Sequence, residues 1–270
     1  MGALRLVSEQ TEDGKSSLSL GRVCARVAPI LLLVVAWEGV SRFGTVNSAL
    51  FPPPSRVAVA FLDWWNSSEL WRDFRASYGR MLLGFLGGGI TGVGIGMLTG
   101  RSRLANAVLS PIVQALRPLP PVAIIPLVIV WFGIGDEAKI FSTAFAVFFP
   151  VWINTHLGAS QIPVEYLWSA RLLSASRVKV ALTVLIPAAL SPIIAGLRTG
   201  IAVAFVMVYV NELAGASAGI GYQISISLLA FRVDRMIAAL ALLAAAGASA
   251  DLLFALFVRV SFPWLGGRAR

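Results

Sequence analysis

Six charged side chains interrupt the long apolar runs of this chain and are the first candidates for chemistry. They are Glu38, Arg80, Arg117, Arg198, Glu212 and Asp251. A charge inside an apolar run is costly unless it pairs or lines a water-filled path, so such residues mark candidate functional sites. Arg198 is the most deeply embedded, and a structural ion pair and a pathway role are equally compatible with its position. Glu212 is compatible with two roles, holding the glycine-rich stretch after it or facing a solute.

Four prolines fall in the almost wholly apolar stretch LRPLPPVAIIPLVIVWFGIG, residues 116–135. Proline inside a helix removes a backbone hydrogen bond and clashes with the preceding turn, at a cost of about 3 kcal/mol. A helix broken at Pro118, Pro120 and Pro121 exposes carbonyls that a membrane tolerates only against protein or a water-filled cavity. We therefore expect this segment to line a translocation path or to seat a neighbouring span. The alternative is a static kink for packing.

Catalytic and metal-binding constellations are not visible in the sequence. His156 is the only histidine and Cys24 the only cysteine, so paired-histidine and cysteine-based metal sites cannot form within one chain. The sequence has no GxxxxGK[ST] motif, and therefore no P-loop for ATP. We expect no catalytic residue, no metal site and no cofactor in this chain.

The composition predicts an all-α, polytopic membrane protein. Of the 270 residues, 57% are hydrophobic and 13% are charged, and the mean hydropathy is +0.81. A soluble domain carries about twice that share of charge. The net charge of +9 does not indicate nucleic acid, because the basic residues are scattered between apolar runs without a basic stripe. Such scattering is typical of the positive-inside rule.

Six apolar runs are long enough to be spanning helices in a lipid bilayer. They cover residues 23–40, 78–98, 104–131, 140–156, 185–210 and 236–258. The distribution of Lys and Arg between them favours cytoplasmic N- and C-termini. We predict a cytoplasmic tail over 1–22, one transmembrane domain over 23–260 and a second cytoplasmic tail over 261–270.

Two segments indicate helix packing and docking. Glycines recur every fourth residue in the second run, at Gly88, Gly92, Gly96 and Gly100. That spacing leaves one helix face without side chains and predicts close approach of another helix. In the loop over about 160–185, the pattern of 164–173 predicts a short amphipathic helix, which nearby basic residues would keep cytoplasmic. Such a helix could dock a partner, or the segment could be an ordinary basic loop.

Four stretches of this sequence resemble one known family when taken in their order and spacing. They are FPPPSRV; SYGRMLLGFLGGGITGVGIGMLTGRS; LRPLPPVAIIPLVIVWFGIGDEAKIF with FFPVWINTHLG; and VLIPAALSPIIAGLRTGIAVAFVMVYVNELAGASAGIGYQI. The chain resembles the inner-membrane permease subunits of bacterial ABC importers, in particular the nitrate/sulfonate/taurine group. The likeness covers most of the chain beyond residue 50.

The cytoplasmic signature of that family reads EAA, three residues, Gly, nine residues, then IxLP. Anchored on Pro187, its spacing fits this sequence, with Trp168 in place of the Glu and Ser174 in place of the Gly. The resemblance implies a coupling helix that enters a groove on an ATPase. The implied coupling residues are Glu165, Leu167, Trp168, Ser169, Ala170, Arg171, Ser174 and Pro187. The two departures leave the docking geometry open and allow a second, different permease subunit.

The resemblance implies an ATP-driven importer of a small anionic solute such as a sulfonate, taurine or nitrate. ATP and Mg would bind separate ABC ATPase subunits, and an extracytoplasmic binding protein would deliver the solute. A second permease, identical or homologous, would complete the path in the bacterial cytoplasmic (inner) membrane. Path candidates in this chain are Arg117, Pro120, Pro121, Arg198 and Glu212.

Two other functions stay open on the sequence alone. A secondary transporter needs its own coupling-ion site, which is typically built from acidic residues in the middle of spans. The acidic residues of this chain cluster at the ends of the apolar runs, which disfavours that function. A purely structural membrane subunit is the remaining alternative, and it requires the loop over 160–185 to be inert.

Overall fold

A computed structural model describes residues 20–44, 47–172 and 176–268. Within these ranges the chain forms helices and no strands, which confirms the all-α prediction. The helices are α1 Leu20–Phe43, α2 Pro54–Trp65, α3 Ser68–Arg101, α4 Arg103–Leu116, α5 Ile125–Phe132, α6 Asp136–Ser160, α7 Val164–Leu172, α8 Arg177–Val180, α9 Ile186–Ala214, α10 Ile220–Leu229 and α11 Val233–Ser261. Short 3₁₀ segments cover Pro121–Ile124 and Pro263–Arg268, and a π-helical turn covers Ala181–Leu185.

Four helical stretches in the described ranges are long and apolar enough to cross a membrane: α3, α6, α11, and α9 together with the π turn before it. The bent pair formed by α4 and Pro121–Phe132 makes a fifth span if the pair is counted as one. The predicted first span lies within α1, whose described apolar side chains from residue 30 to 35 are exposed as in a lipid-facing helix. The chain is therefore a polytopic membrane protein, and the count of six spans stays a prediction.

The predicted third span, 104–131, is two short helices rather than one continuous helix. The axes of α4 and Pro121–Phe132 differ by 86°. Pro118 and Pro120 have no amide hydrogen to continue the ladder of α4. The Leu119 amide closes the last turn on the Leu116 carbonyl (3.1 Å), and the Ala123 amide opens the next turn on the Pro120 carbonyl (2.9 Å).

The glycines of α3 lie against α6. A Cβ atom at Gly92 would lie 2.8 Å from the Val151 Cβ, and one at Gly96 would lie 2.6 Å from the Thr155 Cβ. Gly88 faces Val147 and Gly100 faces Ala159 in the same way, and Gly84 extends the row to face Thr143. Each step of four residues along α3 is matched by a step of four along α6, so the two helices run parallel in constant register.

Helix α9 packs antiparallel to α6 and completes the core. Gly158 near the end of α6 faces Pro192 near the start of α9, whereas Gly200 faces Val147. Apolar side chains of α3, α6 and α9 form most of the central cluster, and α11 adds buried alanines, with Leu243 and Phe254 packed against it. Its buried members are Met81, Val147, Val151, Ile201, Ala204, Phe205, Val208, Ala246 and Ala250. Helix α11 therefore lies at the edge of the bundle, with most of its length exposed.

The predicted N-terminal tail lies largely outside the described residues, whereas the predicted C-terminal tail is described through Arg268. The structure describes neither residues 1–19 of the predicted N-terminal tail nor residues 269–270 at the other end. Ser174 of the predicted coupling signature also lies outside the described residues, and so do the side chains of Leu167 and Arg171.

Candidate functional site

A buried polar network lies where α3 and α6 begin and α9 ends, a region we name the Glu212 end. Glu212 is only 1% exposed. Its carboxylate accepts hydrogen bonds from Ser77 Oγ (2.8 Å), Arg80 Nη1 (2.7 Å) and the Gly221 amide (2.8 Å). Both carboxylate oxygens of Glu212 are therefore hydrogen-bonded to groups of the protein itself. These contacts agree with a role in holding the glycine-rich loop. They do not place it at a solute-facing surface.

The same network ties the loop before α10 to α3 and α6. Arg80 Nη1 also donates to the Ala218 carbonyl (2.7 Å), and its Nε donates to Asp136 Oδ1 (2.8 Å). The buried Asp73 carboxylate accepts hydrogen bonds from the Gly219 amide (3.0 Å) and from Gln223 Nε2 (2.7 Å). Gly219 has φ 134°, a backbone conformation that residues with a side chain rarely adopt.

Sequence reasoning missed Asp73, Ser77 and Gln223 as members of this network. A signal for the first two is present, because Asp73, Ser77 and Arg80 follow helical spacing and lie on the face of α3 that continues as the glycine row. That face is polar where it meets the loop before α10 and glycine-rich where it meets α6. Gln223 carries no comparable signal.

A second buried polar group stabilises the turn between α5 and α6. Lys139 Nζ donates to the carbonyls of Ile134 (2.6 Å) and Gly135 (3.1 Å). Asn211 lies beside it, accepting from Ser142 Oγ (2.9 Å) and donating to Thr143 Oγ1 (3.2 Å). These bonds join the start of α6 to the end of α9, so the Glu212 end is held together by two adjoining polar clusters.

Arg198 of α9 forms an ion pair with Asp251 of α11. Its Nε and Nη2 atoms donate to Oδ1 and Oδ2, each over 2.6 Å. The pair is not buried, because the Arg198 side chain is 58% exposed and the Asp251 side chain 36%. The structural ion pair weighed from the sequence is therefore present, and its exposure leaves the guanidinium accessible to other groups.

Two cavities between α9 and α11 meet at Arg198. The first has a volume of about 460 Å³ and is lined by Arg198, Asp251, Ala202 and Tyr209 among others. The second, of about 300 Å³, is lined by Arg198, Arg259 and apolar side chains that follow Arg259. Arg198 thus borders both cavities, whereas Asp251 lines only the first.

The remaining path candidates lie apart from Arg198. Arg117 follows the last residue of α4 and is exposed, as is Pro120. Beyond the break, Ile125 of α5 packs against Ala146 of α6 and Met207 of α9. The broken segment therefore supports α9 by contact. Among the described residues, no hydrogen bond or ion pair joins Arg117, Arg198 and Glu212 to one another.

The short helix α7 displays large apolar side chains. Tyr166 and Trp168 are each 57% exposed, and Leu172 is 85% exposed. Among the side chains of α7 that the structure describes, Ala170 is the buried one, and it packs with Val180, Val184 and Leu185. Glu165 is exposed, and its carbonyl accepts a hydrogen bond from Ser169 Oγ (2.9 Å). Pro187 lies in the first turn of α9. We name the region around α7 and the start of α9 the α7 end.

Comparison with known proteins assigns the family. Residues 92–261 match the family described as binding-protein-dependent transport system inner membrane component. The chain belongs to this permease family. The permease is 35% identical over 242 residues to a protein of Escherichia coli K12 named as an aliphatic sulfonates transport permease, SsuC, covering 88% of this chain and 92% of that protein.

Two further relatives are similar over almost the whole permease. The Bacillus subtilis 168 protein named as an aliphatic sulfonates transport permease is 32% identical over 233 residues, or 86% of this chain and 84% of the relative. The taurine transport system permease TauC of E. coli K12 is 28% identical over 250 residues, or 91% of each. A chain of the MetNI methionine ABC transporter, solved in inward-facing conformations, shares the fold with TM-score 0.55 and 20% identity, covering 74% of this chain and 97% of that chain.

These findings confirm the resemblance predicted from the four sequence stretches. The protein is a multi-pass ABC importer permease, a membrane component of a transport system. The comparisons support a permease function rather than that of a secondary transporter or a purely structural subunit. The matched residues 92–261 include the break, α7, Arg198 and Asp251.

Proposed function

We propose that this permease forms one half of the translocation path of a bacterial importer for small sulfonate anions. Support comes from the printed names of the relatives, two of which refer to aliphatic sulfonates and one to taurine. An extracytoplasmic binding protein delivers the sulfonate, and a second permease subunit, identical or homologous, lines the other half of the path. The protein resides in the bacterial cytoplasmic membrane with both termini in the cytoplasm.

A separate ABC ATPase binds ATP and Mg and drives the permease through α7. The observation that carries this proposal is the exposure of Tyr166, Trp168 and Leu172 on one short helix. Large apolar side chains at the end of a bundle, outside the apolar spans, are a typical protein-interaction surface. The departure from the signature at Trp168 makes this surface more apolar, so the matching groove on the ATPase accommodates an aromatic ring.

Movement of α7 reaches the spans through a short chain of contacts. Ala170 packs against Val180 and Leu185, which lie at the two ends of the π-helical turn before α9. A π-helical turn is a wider and less regular backbone geometry that often occurs at functional sites. Closure of the ATPase subunits therefore pulls on the start of α9, and the spans rearrange between inward-open and outward-open states by alternating access.

The path runs along the exposed side of α9, between α11 and the broken third span. Arg198 is exposed on α9, Arg117 and Pro120 are exposed beside the break, and the Pro121–Ile124 turn contacts α9. Glu212 is left out of the path because its carboxylate is occupied by protein donors. Replacing Pro120 and Pro121 with Ala should restore backbone donors at the break and impair uptake at equal membrane abundance. Unchanged uptake would contradict a role of the helix break in transport.

Copurification and reconstitution test the whole proposal. The tagged permease should copurify with an ABC ATPase from its own cells. In liposomes, the purified complex with its binding protein should hydrolyse ATP faster when ethanesulfonate or taurine is added. An uncharged sulfone of similar size serves as the control solute and should leave the hydrolysis rate unchanged. The absence of any copurifying ATPase, or equal stimulation by the sulfone, would contradict the proposal.

A further inference from the structure

We infer that Arg198 is a transient binding site for the oxyanion group of the transported solute, with Asp251 as the residue that positions its guanidinium. The inference rests on the proposed function in taking the solute to be a sulfonate. It goes further by naming the atoms that would bind it.

The hydrogen-bond geometry leaves one edge of the guanidinium available. Asp251 accepts from Nε and one Nη2 hydrogen of Arg198. A guanidinium has five N–H donors, so Nη1 and the second Nη2 hydrogen form another two-pronged edge. Among the described residues this edge has no hydrogen-bond partner. Two parallel N–H donors match the oxygens of a carboxylate, phosphate or sulfonate.

The exposure of the pair argues for a polar neighbour. Arg198 is in the middle of α9, and Asp251 is in the second half of α11. Charged side chains at such depth are found facing a bundle interior or a water-filled cavity, because hydrocarbon does not solvate them. With 58% of the Arg198 side chain exposed, the groove that it lines faces a polar neighbour rather than lipid, and a translocation path supplies one.

The two cavities extend the site along the seam between α9 and α11. Arg198 lines both cavities, and Arg259 lines the second one. An anion that leaves Arg198 through the second cavity therefore meets another cation. Asp251 offsets the charge of Arg198 and keeps the affinity for anions low. Low affinity suits a path, since a solute must be able to leave each site that it enters.

Accessibility labelling of the full-length chain in native membrane vesicles tests the site. Cys24 is the single cysteine, so a Cys24→Ser background carries one new thiol at a time. Ala202 lines the groove with Arg198, and Ala202→Cys is the reporter. The reporter reacts with two methanethiosulfonates of similar size, one carrying a sulfonate and one carrying a trimethylammonium group. Val130 of α5, which is 79% exposed, supplies the matched reporter Val130→Cys.

We expect the sulfonate reagent to react about tenfold faster at residue 202 than the cationic reagent, once the rates are corrected for intrinsic reactivity. The reason is that the free donor edge of the Arg198 guanidinium attracts the sulfonate group at short range. Arg198→Gln should abolish this preference, and Asp251→Asn should increase it. Ethanesulfonate should slow the labelling of residue 202, whereas dimethyl sulfone should not. The preference at residue 130 should not change with Arg198→Gln.

Equal rates for both reagents at residue 202, or no reaction with either, would overturn the inference. A preference that survives Arg198→Gln would also overturn it. The outcome is separable from that of the proposed function, which is read from ethanesulfonate uptake by cells with the unaltered permease. If cells take up ethanesulfonate but residue 202 shows no anion preference, the proposed function stands and the Arg198 site is contradicted. If residue 202 shows an anion preference but cells do not take up ethanesulfonate, the Arg198 site stands and the sulfonate function is contradicted.

Discussion

The two ends of the bundle differ in how they use polar and apolar side chains. At the Glu212 end, charged groups are buried and Glu212 and Arg80 are bonded to each other and to the loop before α10. At the α7 end, Tyr166 and Trp168 are exposed, and Ala170 packs with Val180 before α9. The buried Arg80 and Glu212 charges are thus paired within one chain, whereas the α7 end presents large apolar side chains to its surroundings.

The largest effect is expected from Glu212→Ala. The substitution removes the acceptor of Ser77, Arg80 and the Gly221 amide. The buried Arg80 cation keeps the Ala218 carbonyl as an acceptor and Asp136 as its one remaining carboxylate among the described residues. Breaking a buried pair by removing one partner costs about 3–5 kcal/mol. Thermal unfolding of the purified, detergent-solubilised permease should show a large loss of stability or no folded protein.

Asp136→Ala is the matched control at the other carboxylate of Arg80. The Asp136 side chain is 63% exposed, and an exposed ion pair contributes about 0–1 kcal/mol. A small change for Asp136→Ala beside a large one for Glu212→Ala would sharpen the contrast between buried and exposed partners. Equal losses for both variants would mean that burial does not set the stability of the Glu212 end.

A smaller effect is expected where α3 leaves the polar network and packs on α6. A methyl group at Gly92 would lie 2.8 Å from the Val151 Cβ and 3.0 Å from the Phe148 carbonyl oxygen. Gly92→Ala should therefore push the two helices apart and cost about 1–3 kcal/mol, as overpacking does in tight interfaces. A Cβ at Gly94 meets nothing within 4 Å, so Gly94→Ala should stabilise α3 by about 0.5–1 kcal/mol through helix propensity.

The same unfolding assay reads both glycine variants. Opposite signs for Gly92→Ala and Gly94→Ala would show that the four-residue spacing, and not glycine content, sets the packing of α3 on α6. Destabilisation by Gly94→Ala would contradict the parallel register of these helices.

The glycine row and the proline break were visible in the sequence because each is a local pattern. Four-residue spacing specifies a helix face regardless of what covers it, and consecutive prolines interrupt a helix in any context. The predicted second span, 78–98, was nonetheless shorter than α3, Ser68–Arg101. A hydropathy run ends at charged and polar residues, but α3 continues through Asp73, whose buried carboxylate accepts a hydrogen bond from the Gly219 amide across the bundle.

Pairings between distant segments were not predictable from the sequence. Ser77 and Glu212 are 135 positions apart, and Arg198 and Asp251 are 53 apart. Which of six embedded charges pair depends on the register of the helices, and that register is set by packing rather than by any single residue. The sequence therefore identified Arg198 and Glu212 as candidates but left two roles open for each. The structure shows the ion pair of Arg198 and the protein partners of Glu212, and the path role of Arg198 stays a proposal.

The smallest effect on stability, with the largest consequence for coupling, is expected at Trp168. Its side chain is 57% exposed, so Trp168→Ala should change the free energy of unfolding by no more than about 0.5 kcal/mol. If α7 is the surface that an ATPase covers, the same substitution should sharply reduce copurification of the ATPase and sulfonate-stimulated ATP hydrolysis. Trp71 near the start of α3 is 45% exposed, and Trp71→Ala should leave both measurements unchanged. Because the two tryptophans are similarly exposed at opposite ends of the bundle, equal losses would mean that exposure of an aromatic ring, rather than its position at the α7 end, determines assembly.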